Sequence, residues 1–381
     1  MTTAASSESA REAVKVGFIG AGNVLPAYLQ VLDRLVPRGL AVEGPICARR
    51  PETWPALHAR RPGATLVETA REVVESDVDV VVVITAPDGF VPNARLALEH
   101  GKHVVIEKPF APTRADGEAL AELAARRGVN LLAAPFVQLA PTFRVLWGQI
   151  RDGAIGYVHT ARGLYGNAGS PWSRFYHQGG AGVLADCGIY NLKSLTALLG
   201  PVSEVLGAEA TAVAPRYAGG VEIAVPDPDV SHVVVRHVSG ALSSIVCGAA
   251  IQRYRRPGLE LYGTEGTANL LGDDWDPRGF EVWRNEVGRW DEYEPIDGTW
   301  LWADGLREAV AAFRENRPPL ADLAHDLHLL DVIAAARTAV RERAAIRVTS
   351  RFEPVDLLPE GLALRHGRHH LHDHTRPPDD Q

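Results

Sequence analysis

The sequence predicts an α/β half followed by an α+β half: a doubly wound parallel sheet, then a domain with a large open, mainly antiparallel sheet and helices on one face. Three observations carry that expectation. Strand-like and helix-like segments alternate over residues 14–137, as in strand–helix–strand units. Strand-like segments then bunch together without intervening helices, which favours antiparallel pairing. The length of 381 residues suits two packed domains better than one core.

Val14–Ile19 alternates and then runs apolar into a glycine turn, the pattern of a buried strand. Leu25, Tyr28, Leu29, Leu32 and Leu35 recur at helical spacing over 25–36. Residues 40–47 read as a second strand, and 78–84 as a β-branched run of a central parallel strand covered on both faces. A helix over 92–100, the strand His103–Ile106, a helix over 113–127 and a strand over 130–134 follow. Such units close right-handed. Further strands are expected at 156–165, 203–213, 230–237, 241–248, 257–262 and 267–271. One helix (182–199) precedes most of them, and helices at 302–315 and 320–342 close the run. The residues after Leu364, rich in His, Asp and Pro, are expected to be disordered.

Apolar residues make up 46% and charged residues 23% of the chain, which fits a globular protein and argues against intrinsic disorder. Lys and Arg number 39 against 47 Asp and Glu, a net charge of −8 without a long basic run. Nucleic acid and an anionic membrane surface are therefore not expected partners. No apolar stretch approaches the roughly 18–20 residues that span a bilayer. The start, MTTAASSESAREA, lacks the apolar region of a secretion signal. Cys47, Cys187 and Cys247 are odd in number and far apart, which suggests a reducing cytoplasm and no disulfide framework. The crowded His366, His369, His370, His372 and His374 lack the spacing of a closed tetrahedral site, so no metal is expected. No P-loop, Gly-x-Ser-x-Gly or His-Glu-x-x-His motif supports phosphoryl transfer or hydrolysis.

Gly20-Ala21-Gly22-Asn23-Val24 sits where the first strand meets the first helix. There a missing Cβ lets the backbone approach a pyrophosphate, and the helix N-terminus favours the anion. Leu25 replaces the third glycine of the fingerprint, and a tight turn without a ligand is the alternative. A carboxylate for the ribose 2′-hydroxyl should close the second strand, yet the chain reads Cys47-Ala48-Arg49-Arg50. Two guanidiniums suit a 2′-phosphate, which favours NADP over NAD; simple solvation of both arginines is the alternative.

Glu107-Lys108-Pro109 follows the strand His103–Ile106. In a doubly wound sheet the carboxyl ends of strands face the ligand crevice, so Lys108 is placed to reach a nicotinamide. Further on, Asp186 and Tyr190 are four residues apart in an expected helix and so share a face. Taken singly, Asp186 also reads as a partner of the helix dipole, and Tyr190 as the edge of an amphipathic core.

Together, Gly20-x-Gly22, the run from Gly101 to Glu107-Lys108-Pro109, and Gly-Gly-Ala-Gly-Val-Leu-Ala-Asp186-Cys-Gly188-Ile-Tyr190 resemble the glucose–fructose oxidoreductase / inositol dehydrogenase / MocA family. The likeness covers about residues 14–350 and includes Tyr262-Gly-Thr-Glu-Gly-Thr267. The resemblance implies a tail over 1–13, a Rossmann dinucleotide-binding domain over 14–137, a substrate and oligomerisation domain over 138–352, and a flexible tail over 353–381. It implies pyridine-nucleotide oxidation or reduction of a sugar or cyclitol carbon, with NADP or NAD as cofactor. Lys108 becomes the catalytic lysine, Asp186 a substrate-orienting carboxylate and Tyr190 an acid/base, where many members carry His. Thr85, Ala86 and Pro87, in the Thr-Pro-Asn-like segment, and Glu107 join the cofactor contacts. The chain departs from the family at Leu25, at Phe90 in place of a frequent His, and at Phe136-Val-Gln-Leu-Ala-Pro141, which lacks a frequent arginine.

On this reading a secondary alcohol loses hydride to nicotinamide while a protein base takes its hydroxyl proton, or a ketone undergoes the reverse. Either Lys108 or Tyr190 is the proton-transfer group. Substrate contacts are expected from Lys108, Tyr165, Asn167, Trp172, Arg174, Tyr176, His177, Asp186 and Tyr190, because aromatic faces and polar side chains together suit a carbohydrate. Packing anchors are the alternative for Trp172 and Tyr176. Two other functions stay open: a dehydrogenase of a non-sugar cyclic diol, and a non-catalytic cofactor-binding sensor. An open sheet face needs cover, so a homodimer or homotetramer through the second domain is expected.

Overall fold

The computed structural model describes residues 12–169, 182–255 and 257–358. The chain divides into two compact units. The first runs to Phe110, continues over Asp116–Ala134 and takes in Ala303–Leu320; the second holds Ala111–Ala115, Pro135–Trp302 and the chain from Ala321 onward.

In the first unit, β1 (Val14–Ile19), β2 (Ala41–Cys47), β3 (Leu66–Val67), β4 (Val80–Val83), β5 (His103–Ile106) and β6 (Leu131–Ala133) form one sheet in the order β3-β2-β1-β4-β5-β6. Every pairing in it is parallel. Strand order reverses at β1 and β4, so the crevice beyond their carboxyl ends is the topological switch point. Helices α1 (Leu25–Leu35), α2 (Trp54–Arg60), α3 (Ala70–Glu75), α4 (Phe90–Glu99) and α5 (Arg114–Arg127) lie between the strands in sequence. All four valines of β4 are wholly buried, which requires cover on both faces. α1 buries Leu25, Tyr28, Val31, Leu32 and Leu35 at helical spacing. Each such aliphatic side chain contributes about 1.5–3 kcal/mol when fully buried.

A helix from the far end of the sequence, Gly305–Glu315, also packs on α1 and β5. Phe313 meets the His103 ring edge-on at 4.9 Å, and Arg314 donates to the Glu12 carbonyl at 3.1 Å. Residues 303–320 therefore fold with the first unit, although they lie within the 138–352 stretch expected to form the second domain.

The second unit carries β7 (Val158–Gly166), β8 (Val202–Ala210), β9 (Arg216–Ala218), β10 (Val221–Ile223), β11 (Val230–His237), β12 (Leu242–Gly248), β13 (Leu259–Gly263), β14 (Gly266–Asp273), β15 (Asp276–Arg284), β16 (Arg289–Tyr293) and β17 (Ile346–Arg347). β9 and β10 pair alone; the rest form a nine-stranded sheet in the order β16-β15-β14-β13-β7-β12-β11-β8-β17. Only β7 and β12 pair in parallel. Helix α6 (Pro141–Arg151) packs on β15. The π turn Leu184–Gly188 runs into α7 (Ile189–Leu199), which packs on β7. Counting Gly305–Glu315 as α8, α9 (Leu323–Glu342) packs on β8. Along β11, Val233, Val235 and His237 are buried while His232, Val234 and Arg236 are exposed, so the strand lies on a sheet covered on one face.

Sequence periodicity misses α2, α3, α6, β15 and β16. β15 carries Pro277 and Gly279, both poor strand formers. The chain after 352 is also more ordered than expected as far as 358: Leu357 is buried, and its carbonyl accepts from Arg144 Nε at 2.5 Å. The histidine-rich end lies outside the described residues. Among the described residues no helix is long and apolar enough to cross a membrane, and no cluster of His, Cys, Asp and Glu is arranged to hold a metal.

α7 and α9 are joined by a buried ion pair, Lys193 Nζ to Asp326 Oδ1 at 2.5 Å, with side chains 0% and 3% exposed. Beside it, Thr196 Oγ1 hydrogen-bonds His325 Nε2 at 2.6 Å. Removing one partner strands a buried charge, which costs about 3–5 kcal/mol, whereas replacing both with apolar groups restores much of the loss. In urea denaturation, Lys193→Met is expected to lose stability in that range, and Lys193→Met/Asp326→Leu to lose clearly less than the single variant.

Candidate functional site

In the first unit the parallel strands bring the ends of β1, β2, β4 and β5 to one edge. Gly20, at the end of β1, has φ +119°, a value that disfavours any side chain. A Cβ there would lie 2.6 Å from the Ile84 carbonyl oxygen and 3.0 Å from Thr85 N. The Gly20 amide donates to the Cys47 carbonyl at 3.2 Å, tying β1 to the end of β2. Gly22 is exposed, and a Cβ on it would meet no atom of the chain within 4 Å. Asn23 is exposed and Val24 half-buried, and α1 starts with no side-chain cap and no acidic residue in its first turn. An open, uncapped helix start beside a glycine fits a pyrophosphate. Leu25 does not disturb this turn: its side chain is buried and its amide bonds the Gly22 carbonyl at 3.2 Å.

Arg49 and Arg50 follow β2 directly and are both exposed. The residues that close the strand, Cys47-Ala48-Arg49-Arg50, include no carboxylate. After β4, Thr85 and Pro87 are half-buried and Ala86 exposed. After β5, Glu107 is 6% exposed; its Oε1 accepts from the Tyr28 hydroxyl at 2.7 Å and its Oε2 from the Lys108 amide at 3.2 Å. A residue of α1 thus steadies the turn that presents the half-buried Lys108. Sequence reading gave Tyr28 only a core role. Its spacing announced burial, and nothing in one sequence announced its hydroxyl partner.

In the second unit, Asp186 sits in the π turn and Tyr190 in the first turn of α7, both half-buried. The turn expected to be α-helical is π at Asp186, a form common at functional sites. Gly188, between them, lies against β12: a Cβ there would be 2.8 Å from Cys247 Sγ. The Tyr190 ring meets Tyr165 of β7 edge-on at 5.6 Å, and Tyr165 in turn meets Trp275 at 6.1 Å. Asn167 is fixed by its amide to the Gly248 carbonyl (2.9 Å), and its Nδ2 donates to Cys187 Sγ at 3.8 Å. Tyr165, Asn167, Asp186 and Tyr190 are thus gathered around the π turn. Trp172, Arg174, Tyr176 and His177 lie outside the described residues.

Three residues of this neighbourhood escaped sequence reading: Asp273, Asp274 and Trp275, at the turn from β14 to β15. Asp274 is wholly buried and its Oδ2 accepts from Asn191 Nδ2 at 3.0 Å and Ser194 Oγ at 2.9 Å, both on α7. Asp273 accepts from the Tyr254 hydroxyl. Burial pushes the Asp274 carboxyl up to about 7, and Asp273 nearby adds to the rise. Its Oδ1 is buried with no hydrogen-bond partner among the described residues, which costs a neutral carboxyl less than a charged one. Below the ordinary value of 3.8 both folded and unfolded forms hold the proton. Between there and about 7 only the folded form holds it, so stability falls as pH rises, by up to about 1.4 kcal/mol per pH unit, and levels off above. Asp274→Asn keeps an acceptor and has no such proton. Its stability relative to the native chain is expected to climb between pH 4.5 and 7 and then stay level, as measured by urea denaturation at several pH values.

Residues 14–134 match the oxidoreductase family with an NAD-binding Rossmann fold, and residues 143–269 match the GFO/IDH/MocA C-terminal domain. D-apiose dehydrogenase of Paraburkholderia graminis is 26% identical over 219 residues, which span 54% of this chain and 54% of that protein. The chain thus matches about half the length of that relative. dTDP-3,4-didehydro-2,6-dideoxy-alpha-D-glucose 3-reductase of Streptomyces antibioticus is 27% identical over 277 residues, covering 71% of this chain and 79% of the relative. A levoglucosan dehydrogenase in complex with NADH and levoglucosan has the same fold, with a TM-score of 0.77, 20% identity, and coverage of 88% of this chain and 100% of that one. With both of its domains matched in order, the chain belongs to the Gfo/Idh/MocA family of oxidoreductases.

Proposed function

We propose that this oxidoreductase acts on a secondary hydroxyl or ketone carbon of a sugar, sugar derivative or cyclitol, with NADP preferred over NAD. The observation that carries the reading is the Glu107–Lys108 turn, held by Tyr28 at the end of β5, on the same sheet edge as the glycine turn that ends β1. A bound nicotinamide supplies the hydride chemistry. The first unit offers Gly20, Gly22, Asn23 and Val24 for the pyrophosphate, and Thr85, Ala86, Pro87 and Glu107 beside them. Lys108 is the cation to set near the reacting oxygen. The second unit offers Asp186 to orient a hydroxyl and Tyr190 to give or take its proton. Such acid–base help is worth roughly 10²–10⁴-fold. Whether Lys108 or Tyr190 moves the proton is read from the pH profiles of Lys108→Ala and Tyr190→Phe.

Arg49 and Arg50 support NADP. Both are exposed at the end of β2, and neither guanidinium has an ion pair or hydrogen bond among the described residues. Phosphate offers such groups a bidentate partner. Leu206 and Val234 are in register on neighbouring strands and 46% and 42% exposed, which supports a homodimer or homotetramer through the nine-stranded sheet. The three cysteines stand as buried thiols, in keeping with a reducing cytoplasm.

Fluorescence titration is expected to show tighter binding of NADPH than of NADH, with Arg49→Ala or Arg50→Ala erasing the difference. Equal binding of the two nucleotides would remove the 2′-phosphate site and leave the oxidoreductase. In a panel of sugars, inositols and cyclic dihydrodiols, absorbance at the reduced-nicotinamide band is expected to change with a polyol, and Lys108→Ala to lose at least 100-fold in kcat/KM. Turnover of the dihydrodiols alone would contradict the sugar reading, and nucleotide binding without any turnover would point to a sensor.

A further inference from the structure

The turn from β14 to β15 places a polar group where the reading above does not use it. Trp275 Nε1 is buried and has no acceptor among the described residues. Leaving such a donor unpaired costs about 1–3 kcal/mol, and proteins rarely leave one without a reason. The position is also rigid. On one side Asp274 is clamped to α7 through Asn191 and Ser194; on the other, Asp273 is bonded by Tyr254 and pairs in register with Asp276. The indole continues the line of edge-on rings from Tyr190 through Tyr165.

We propose that Trp275 is a specificity-determining residue: its indole N–H donates to one oxygen of a polyhydroxylated ring whose C–H face rests on the Tyr165 ring, which stands edge-on to the indole. The inference rests on the polyol reading and deepens it. An unpaired, preorganised donor is satisfied only by a substrate with an acceptor at the matching ring position. A site of that kind rejects the analogue lacking the hydroxyl far more strongly than an apolar pocket rejects a missing methylene. Asp274 is the positioning residue that holds the turn.

The test uses the full chain with the best polyol of the panel and its single-position deoxy analogues. The native protein is expected to disfavour one deoxy analogue by at least tenfold in kcat/KM. Trp275→Phe, which keeps a ring and loses the N–H, is expected to raise KM for the parent polyol about tenfold, with kcat changing less. It should also lose the preference over that one analogue, while NADPH affinity stays unchanged. A mere packing role would weaken parent and analogues alike, and that result overturns the proposal. So does a native protein that ignores every single hydroxyl, whatever the folding of the variant. Failure to turn over any polyol despite NADPH binding overturns this inference together with the polyol reading. Unchanged KM in the variant overturns this inference alone.

Discussion

At the end of β1 the backbone passes so close to the end of β4 that a single added carbon at Gly20 would lie 2.6 Å from the Ile84 carbonyl oxygen. That approach draws the ends of two strands of the first unit together. Parallel pairing sends the carboxyl ends of β1, β2, β4 and β5 to one edge. The missing side chain then lets two of them close up, with the uncapped start of α1 beside them. Buried β-branched strands give the edge its rigidity: in β4 alone four consecutive valines are wholly buried. The link from Tyr28 to Glu107 carries that rigidity into the turn bearing Lys108.

The second unit solves a different problem. Its sheet is mainly antiparallel, and Asp186 and Tyr190 stand at a helix start rather than at parallel strand ends. The π turn and Gly188 let that start settle onto β12, with Cys247 Sγ in the space a methyl would take. Below it, buried polar groups hold the helix: Asp274 on Asn191 and Ser194, and Asp326 on Lys193. Buried carboxyls are expensive, and each here is matched to donors on the same short helix. The arrangement fixes the orientation of α7, and with it Tyr190, at some cost in stability.

Much of this was legible in the sequence, and the reasons differ by element. β1 and β5 fall where alternation and apolar runs put them, because both are buried and end at glycine or proline. The glycine turn, Arg49, Arg50 and the Glu107–Lys108 step were legible because strand ends are marked by composition changes. The π turn was not, since a single wide turn of five residues is too short to set a periodicity of its own. Helix Gly305–Glu315 was read as a helix but assigned to the wrong half, because periodicity reports a buried face and not its partner. Asp274 and Trp275 lie in Gly-Asp-Asp-Trp-Asp-Pro, a run with no motif or periodicity to single them out. Only the fold shows that one of these acids is wholly buried and that the indole N–H beside it has no acceptor among the described residues.

Nicotinamide nucleotide is expected to bind along the strand ends of the first unit. Hydrogen–deuterium exchange with and without NADPH tests it most directly. Slowed exchange is expected in peptides covering residues 18–28, 47–51, 84–90 and 106–109, with β8 and β11 unchanged. Protection absent from those four segments, or confined to the second unit, would contradict it.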